Sequence, residues 1–167
     1  MQNFFLGIAL PEKLEAEVEE WRRRFRAPRT RPHITLIPPF EWKHEYQSLL
    51  RIIEDVESRH ELFLISGEGL GNFGKAVLFV NVGLSSELQS FQEDLAETLA
   101  KYGIPREKRP YHPHITLATR LRPRDFEEYL KQLNGFSPSY EFTFSGTAVF
   151  KLVTEGRIKR WELQRKP

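Results

Sequence analysis

The string Pro32-His33-Ile34-Thr35-Leu36 recurs, letter for letter, as Pro113-His114-Ile115-Thr116-Leu117. In each copy apolar residues alternate with a His and a Thr, the period of a strand with one buried and one polar face. Successive strand side chains point to opposite faces, so His33 and Thr35 share one side while Ile34 and Leu36 take the other. The second copy sets His114 and Thr116 against Ile115 and Leu117 in the same way. The copies lie 81 positions apart in a chain of 167 residues. Half-chain spacing points to duplication of one structural unit, and to one site built from a His and a Thr of each half.

The flanking sequence supports the duplication. Asn3 to Leu10 reads as a buried strand, followed by Pro11 at the first turn of a helix with Leu14, Val18, Trp21 and Phe25 inward, ending before Pro28. The first motif strand follows and is expected to stop at Pro38-Pro39. Tyr46, Leu49, Leu50, Ile53 and Val56 mark a second helix. Leu62 to Ser66 and Ala76 to Val82 read as strands separated by a glycine-rich turn (Gly67, Gly69, Gly71, Gly74), a flexible connection more than a phosphate cradle because it feeds a strand.

The second half repeats this order. Ser86 with Gln89 suggests a capping box for a helix carrying Leu88, Phe91, Leu95 and Leu99, ending near Gly103 and Pro105. After the second motif, Pro123 to about Leu133 reads as a shorter helix with Phe126, Tyr129, Leu130 and Leu133 inward, closed by Asn134-Gly135. Tyr140 to Phe144, Thr147 to Val153 and Arg157 to Leu163 are terminal strands. Strand, helix, His-x-Thr strand, helix, strand therefore occurs twice, with no linker long enough to separate two domains, so residues 1–167 form one unit.

Composition narrows the function classes. With 40% apolar residues and 13 phenylalanines the chain can bury a sizeable core. Twenty-five Lys and Arg against 23 Asp and Glu give a weakly basic balance that does not by itself argue for nucleic acid. The absence of cysteine rules out disulfides, thiolate catalysis and Cys-based metal sites. The N-terminal apolar run is short and lacks a basic flank, so a soluble, cytoplasmic protein with no membrane partner is expected.

Two imidazoles near neutrality can open a phosphodiester, one as base and one as acid, without a metal. Each Thr hydroxyl, two residues along on the same face, can donate to a phosphate oxygen as charge builds. His112 lies on the His114 face, aligns with Arg31 and is a candidate substrate contact. Three imidazoles (His33, His112, His114) could in principle ligate zinc, but neither motif has a carboxylate, so no metal is expected. Arg22, Arg23, Arg24, Arg26, Arg29 and Arg31 precede the first motif, and Arg106, Lys108 and Arg109 the second. Such clusters can hold phosphates, although for Arg22 to Arg26 the reading favoured is a solvated outer face at a helix C-terminus. Phe40 and Tyr111 are candidate stacking surfaces for a base, and Arg120 a candidate phosphate contact.

The paired His-x-Thr strands, the strand and helix order around them and the total length resemble the two-histidine (2H) phosphoesterases of the 2′-5′ RNA ligase or RNA 2′,3′-cyclic phosphodiesterase type. The resemblance covers nearly the whole chain. It implies an α+β, bilobal, pseudo-two-fold fold in which two antiparallel sheets line a central cleft with helices outside. It also implies a cofactor-free site of His33, Thr35, His114 and Thr116, acting on RNA ends or small nucleotides with a cyclic phosphate in a monomeric protein. Ligation of a cyclic end to a 5′-hydroxyl would be the reverse reaction. Two other readings stay open on the sequence: a non-catalytic RNA or nucleotide-binding module, and a phosphoesterase for a small cyclic nucleotide such as a cyclic phosphate of ADP-ribose.

Overall fold

The computed structural model describes residues 2–25, 27 and 30–167. Its elements run β1 (Gln2–Ala9), α1 (Glu12–Arg24), β2 (His33–Trp42), α2 (Tyr46–Ser58), β3 (Leu64–Glu68), β4 (Leu70–Phe73), β5 (Val77–Asn81), α3 (Ser86–Ala100), β6 (His114–Ala118), α4 (Pro123–Gln132), β7 (Ser139–Thr143), β8 (Ala148–Glu155) and β9 (Ile158–Arg165). All strand pairs are antiparallel, in the orders β2-β1-β8-β9, β3-β7 and β4-β5-β6. The last two groups are joined by backbone bonds from Gly69 to the Pro138 carbonyl, from Asn81 to that of Gly69, and from Gly83 to that of Ser66. Strands β3 and β4 are thus one strand kinked at Gly69, whose φ of 79° suits glycine.

With that kink allowed, the order β7, β3/β4, β5, β6 repeats β9, β8, β1, β2. The expected pair of antiparallel sheets is present as one continuous sheet and one that Gly69 divides. Each motif strand is the inner edge of its sheet, and the two edges run alongside each other without entering one sheet. Helices cover the opposite faces through apolar stripes: Leu14 and Val18 of α1, Leu49, Ile53 and Val56 of α2, and Leu88, Phe91, Leu95 and Leu99 of α3. Ile34, Leu36, Ile115 and Leu117 are fully buried in that core, so the alternation predicted for both motifs holds.

Several local expectations give way to tertiary context. Pro38-Pro39 does not stop β2, which continues to Trp42. Pairing with β1 passes from Ile37 to Phe40 across an irregularity, and both prolines sit exposed on an edge strand, where a missing N–H costs no ladder bond. The glycine-rich stretch is not a loop but holds β4. Ser85, not Ser86, caps α3, its hydroxyl accepting from the Leu88 N–H at 3.1 Å. Leu130, expected inward, is 43% exposed, because the buried stripe of short α4 is Phe126 with Tyr129 and Leu133 beside it.

Candidate active site

Both motif histidines are held by the same local device. The Nδ1–H of His33 donates to the carbonyl of Arg31 at 2.8 Å, and the Nδ1–H of His114 donates to the carbonyl of His112 at 2.8 Å. A carbonyl can only accept, so each Nδ1 carries a proton and each Nε2 is left as the titrating nitrogen. The extended backbone before each histidine, with Pro32 or Pro113 in between, brings the carbonyl of residue i−2 under the ring.

Aromatic rings support the imidazoles from beneath. His33 lies against Phe5 of β1 and Phe150 of β8, with centroids 4.7 and 5.2 Å away. His114 lies against Phe79 of β5 and Phe73 of β4, at 5.1 and 4.9 Å. The strands supplying these pairs are equivalent in the duplicated order. Gly7 makes room on the first side: a Cβ there would lie 2.7 Å from the Ile34 carbonyl oxygen and 3.5 Å from His33 Cδ2. None of these four phenylalanines is singled out by the sequence, since the apolar runs of β1 and β5 do not reveal which residues face the cleft.

The two halves then diverge. His33 Nε2 also meets Thr35 Oγ1 at 3.2 Å, the hydroxyl donating to the neutral ring. Burial is the main cause that lowers the His33 pKa from 6.5 to about 4, and the nearby Arg22 and His114 charges push the same way against the Arg31 carbonyl. The His114 charge is felt at His33, in keeping with the two motif strands, β2 and β6, lying alongside each other. The pKa of His114 is lowered as well, by burial first and by His112 last, with the His112 carbonyl opposing. Thr116 lies opposite Phe79 across β5 and β6, partly buried.

The remaining candidates are sorted by burial and bonding. Tyr111 belongs less to a stacking surface than to the scaffold: its hydroxyl donates to the Thr35 carbonyl at 2.7 Å, tying the second half to the first motif strand. Burial raises its pKa, as expected of a neutral phenol. Phe40 is 7% exposed among Phe4 and Trp42, so it has no free face for a base. His112 is exposed and edge-on to Phe73 at 5.0 Å, beside His114. Arg120 lies beyond the end of β6, exposed, with a φ of 56°. Among the described residues no three His, Asp or Glu side chains converge as a metal-holding group, so the His33, His112 and His114 set weighed from the sequence does not assemble as one.

The basic cluster before the first motif also divides. Arg26 and Arg29 lie outside the described residues. Arg23 and Arg24 are exposed, with the Arg24 guanidinium 4.7 Å over Trp21, whereas Arg22 is only 6% exposed. Its Nη1 donates to the Thr30 carbonyl, and burial lowers its pKa. Arg22 is therefore not part of a solvated outer face but a buried cation 3.7 Å from the Glu19 carboxylate, and its charge is felt at His33. Arg31 is paired with Glu15 at 2.7 Å. In the second cluster Arg109 pairs with Glu107 at 3.1 Å, and Arg106 and Lys108 are exposed.

A sequence profile of the 2′-5′ RNA ligase superfamily matches residues 10–155, a span that contains both motifs. The chain belongs to this superfamily. No curated protein matches it by sequence. Among solved structures, the Thermus thermophilus protein TT0787 is similar with a TM-score of 0.72 and 20% identity, covering 99% of this chain and 96% of that one. Escherichia coli LigT complexed with 3′-AMP is similar at 0.67 and 18% identity, covering 98% and 95%. The MHV ns2 PDE domain is similar at 0.61 and 16% identity, covering 89% and 99%. These likenesses establish the superfamily fold. No helix among the described residues is long and apolar enough to cross a membrane.

Proposed function

We propose that the protein is a phosphoesterase that hydrolyses 2′,3′-cyclic phosphate ends of RNA or nucleotides by paired-histidine general acid and base catalysis, without a metal. The observation that carries this reading is the matched clamp on the two Nδ1 atoms, which leaves an Nε2 on each of two neighbouring motif strands free to exchange a proton. Superfamily membership supports an enzyme of this general type.

The unequal lowering of the two pKa values suggests the division of labour. His33, lowered to about 4, stays neutral and takes a proton from water through Nε2 as that water attacks phosphorus. His114, less enclosed, picks up a proton when the phosphate anion arrives and gives it from Nε2 to the ribose oxygen as the P–O bond breaks. Thr35 and Thr116 donate to non-bridging oxygens, Thr35 turning away from His33 as the phosphate enters. The buried Arg22, whose charge is felt at His33, adds positive potential to that side.

The reading is tested by incubating the protein with 2′,3′-cyclic mononucleotides and with cyclic-ended oligoribonucleotides, with and without exhaustive chelation, and identifying the products. Ring opening to a 2′- or 3′-monophosphate that survives chelation is expected. Binding without turnover of every such substrate would make the protein a recognition module, and activity restored only by added zinc would replace the acid-base mechanism.

A further inference from the structure

The cleft face of the first sheet continues outward from His33 along the β8–β9 ribbon. Phe5, Phe150 and Ala148 form a small buried cluster of their own, with Trp161 and Leu163 of β9 packed on it. Trp161 meets Phe5 edge-on at 4.9 Å, and Phe5 meets His33 at 4.7 Å, so the indole lies two ring contacts from the imidazole and is only partly buried. Strand β8 pairs with β1 only over Ala148 to Lys151, but with β9 out to Glu155. Beyond Lys151 the ribbon therefore projects past the sheet.

The register assigns the ribbon's faces. Thr154 opposite Lys159, Leu152 opposite Trp161 and Phe150 opposite Leu163 share the cleft face. The other face carries Arg160, bonded to Glu155 at 2.9 Å and to Glu162 at 3.2 Å. On the cleft face Lys159 is exposed, one strand repeat of about 7 Å beyond Trp161. The equivalent outer ribbon of the second half, β3 with β7, carries Glu68 and Glu141 and no cation. From β8 through β9 there are five cations and two carboxylates.

We infer that this ribbon is a binding track for the 3′ end of single-stranded RNA: Trp161 stacks the base of the terminal nucleotide, and Lys159 pairs with the phosphate on its 5′ side. This rests on the phosphoesterase reading for where the terminal phosphate sits. An aromatic face followed by a cation at nucleotide spacing is the pattern by which single strands are held without sequence preference. The acidic outer ribbon of the other half repels the same polyanion, so the strand leaves the cleft over the first half. The substrate class is then an oligoribonucleotide end in preference to a free cyclic mononucleotide.

The test uses the full chain and a fluorescent hexaribonucleotide ending in a 3′-phosphate, read by anisotropy, so that binding is measured without turnover. Trp161→Ala is expected to weaken binding about tenfold, as loss of one stacked base does. Trp161→Tyr, which keeps a ring over Phe5, should recover most of it. Lys159→Ala should weaken binding several-fold and reduce the slope of log affinity against log salt by about 0.7, the signature of one lost phosphate contact on a single strand. Lys151→Ala, on the opposite face of the ribbon, should bind as wild type. In parallel, Lys159→Ala should lose more kcat/KM on a cyclic-ended hexamer than on a 2′,3′-cyclic mononucleotide.

Hexamer binding that is undetectable in wild type, or unchanged in Trp161→Ala and Lys159→Ala, overturns the track even if cyclic mononucleotides are hydrolysed. Binding that follows these residues while no cyclic substrate is turned over supports the track and defeats the phosphoesterase reading instead.

Discussion

His33 and His114 share a pentapeptide, a strand-edge position, a clamp on Nδ1 and a pair of supporting phenylalanines, but the surroundings of the two imidazoles differ. His33 is enclosed, touches its own Thr35 and feels the charge of the buried Arg22. His114 is flanked instead by the exposed His112 and by Phe73, whose ring is 37% exposed. On the proposed mechanism, duplication supplies two copies of one proton carrier, and the divergence of what lies around them keeps His33 neutral, ready to accept a proton, while leaving His114 the one to be protonated. A symmetric pair with equal pKa values would be less suited to a reaction that needs one imidazole neutral and one protonated.

The harshest way to break the comparison is to remove each histidine in turn. His33→Ala and His114→Ala should each lower kcat on a cyclic phosphate by about a hundredfold or more, the range expected for loss of a general acid or base. Both variants should fold. Near-wild-type turnover in either would mean that one half alone carries the chemistry. Removing the threonines should cost less. Thr35→Ala and Thr116→Ala each delete one neutral donor to phosphate, for a loss of about tenfold. Thr35→Ala has a second effect that Thr116→Ala lacks, since it removes the hydroxyl bonded to Nε2 of His33. Only Thr35→Ala should therefore also move the acid limb of the pH profile.

That acid limb tests the electrostatic difference directly. In kcat/KM, which reports the free enzyme, activity should fall as pH drops through about 4, where His33 gains a proton and ceases to be a base. On the other side it should fall as His114 loses its proton, below the ordinary value of 6.5. The optimum therefore lies on the acid side of neutrality.

The same shift has a consequence for stability. Unfolded His33 protonates at 6.5 and folded His33 at about 4, so between these values the unfolded state binds the extra proton. Stability should decrease by up to about 3 kcal/mol as pH falls across that window and change no further from this source below it. His33→Gln should remove this part of the acid sag, measured by urea unfolding at pH 7 and pH 4.5. An unchanged sag would mean that His33 is not the buried neutral group described here.

The duplication, the strand nature of both motifs and the faces of their side chains were legible because identical pentapeptides at half-chain spacing leave few alternatives, and because period-2 alternation reports a half-buried strand. The helices were legible from apolar spacing. What escaped was decided at long range. Pro38-Pro39 is tolerated only because β2 is an edge strand. The glycine-rich stretch becomes β4 because β5 pairs with it. Phe40, adjacent to a motif, turns into the core, whereas Phe5, Phe73, Phe79 and Phe150, distant in sequence, support the site. Arg22 sits in a run of like charges whose neighbours are exposed, and helix phase alone turned it inward.

The smallest predicted effect concerns a bond that ties the second half to the first motif strand. Tyr111 of the second half donates to the Thr35 carbonyl of the first, at 2.7 Å. Its aligned position in the first half is Thr30, whose carbonyl instead accepts from Arg22. The tie is thus one-sided; Gln92 of α3 adds a second bond to the same strand, at the Leu36 carbonyl 3.1 Å away, and the two motif edges meet without ladder bonds. Tyr111→Phe keeps the ring in its packing and deletes only the donor, leaving a partly buried carbonyl between the two strands. A loss of about 1 kcal/mol in unfolding free energy is expected, the usual net worth of such a bond. Because Thr35 is the residue whose backbone is released, turnover should fall by a few-fold while the pH profile stays in place, since neither imidazole changes its surroundings. A large loss of turnover with an unshifted unfolding midpoint would instead put the Tyr111 hydroxyl in contact with substrate, and would return it to the binding role that its sequence position first suggested.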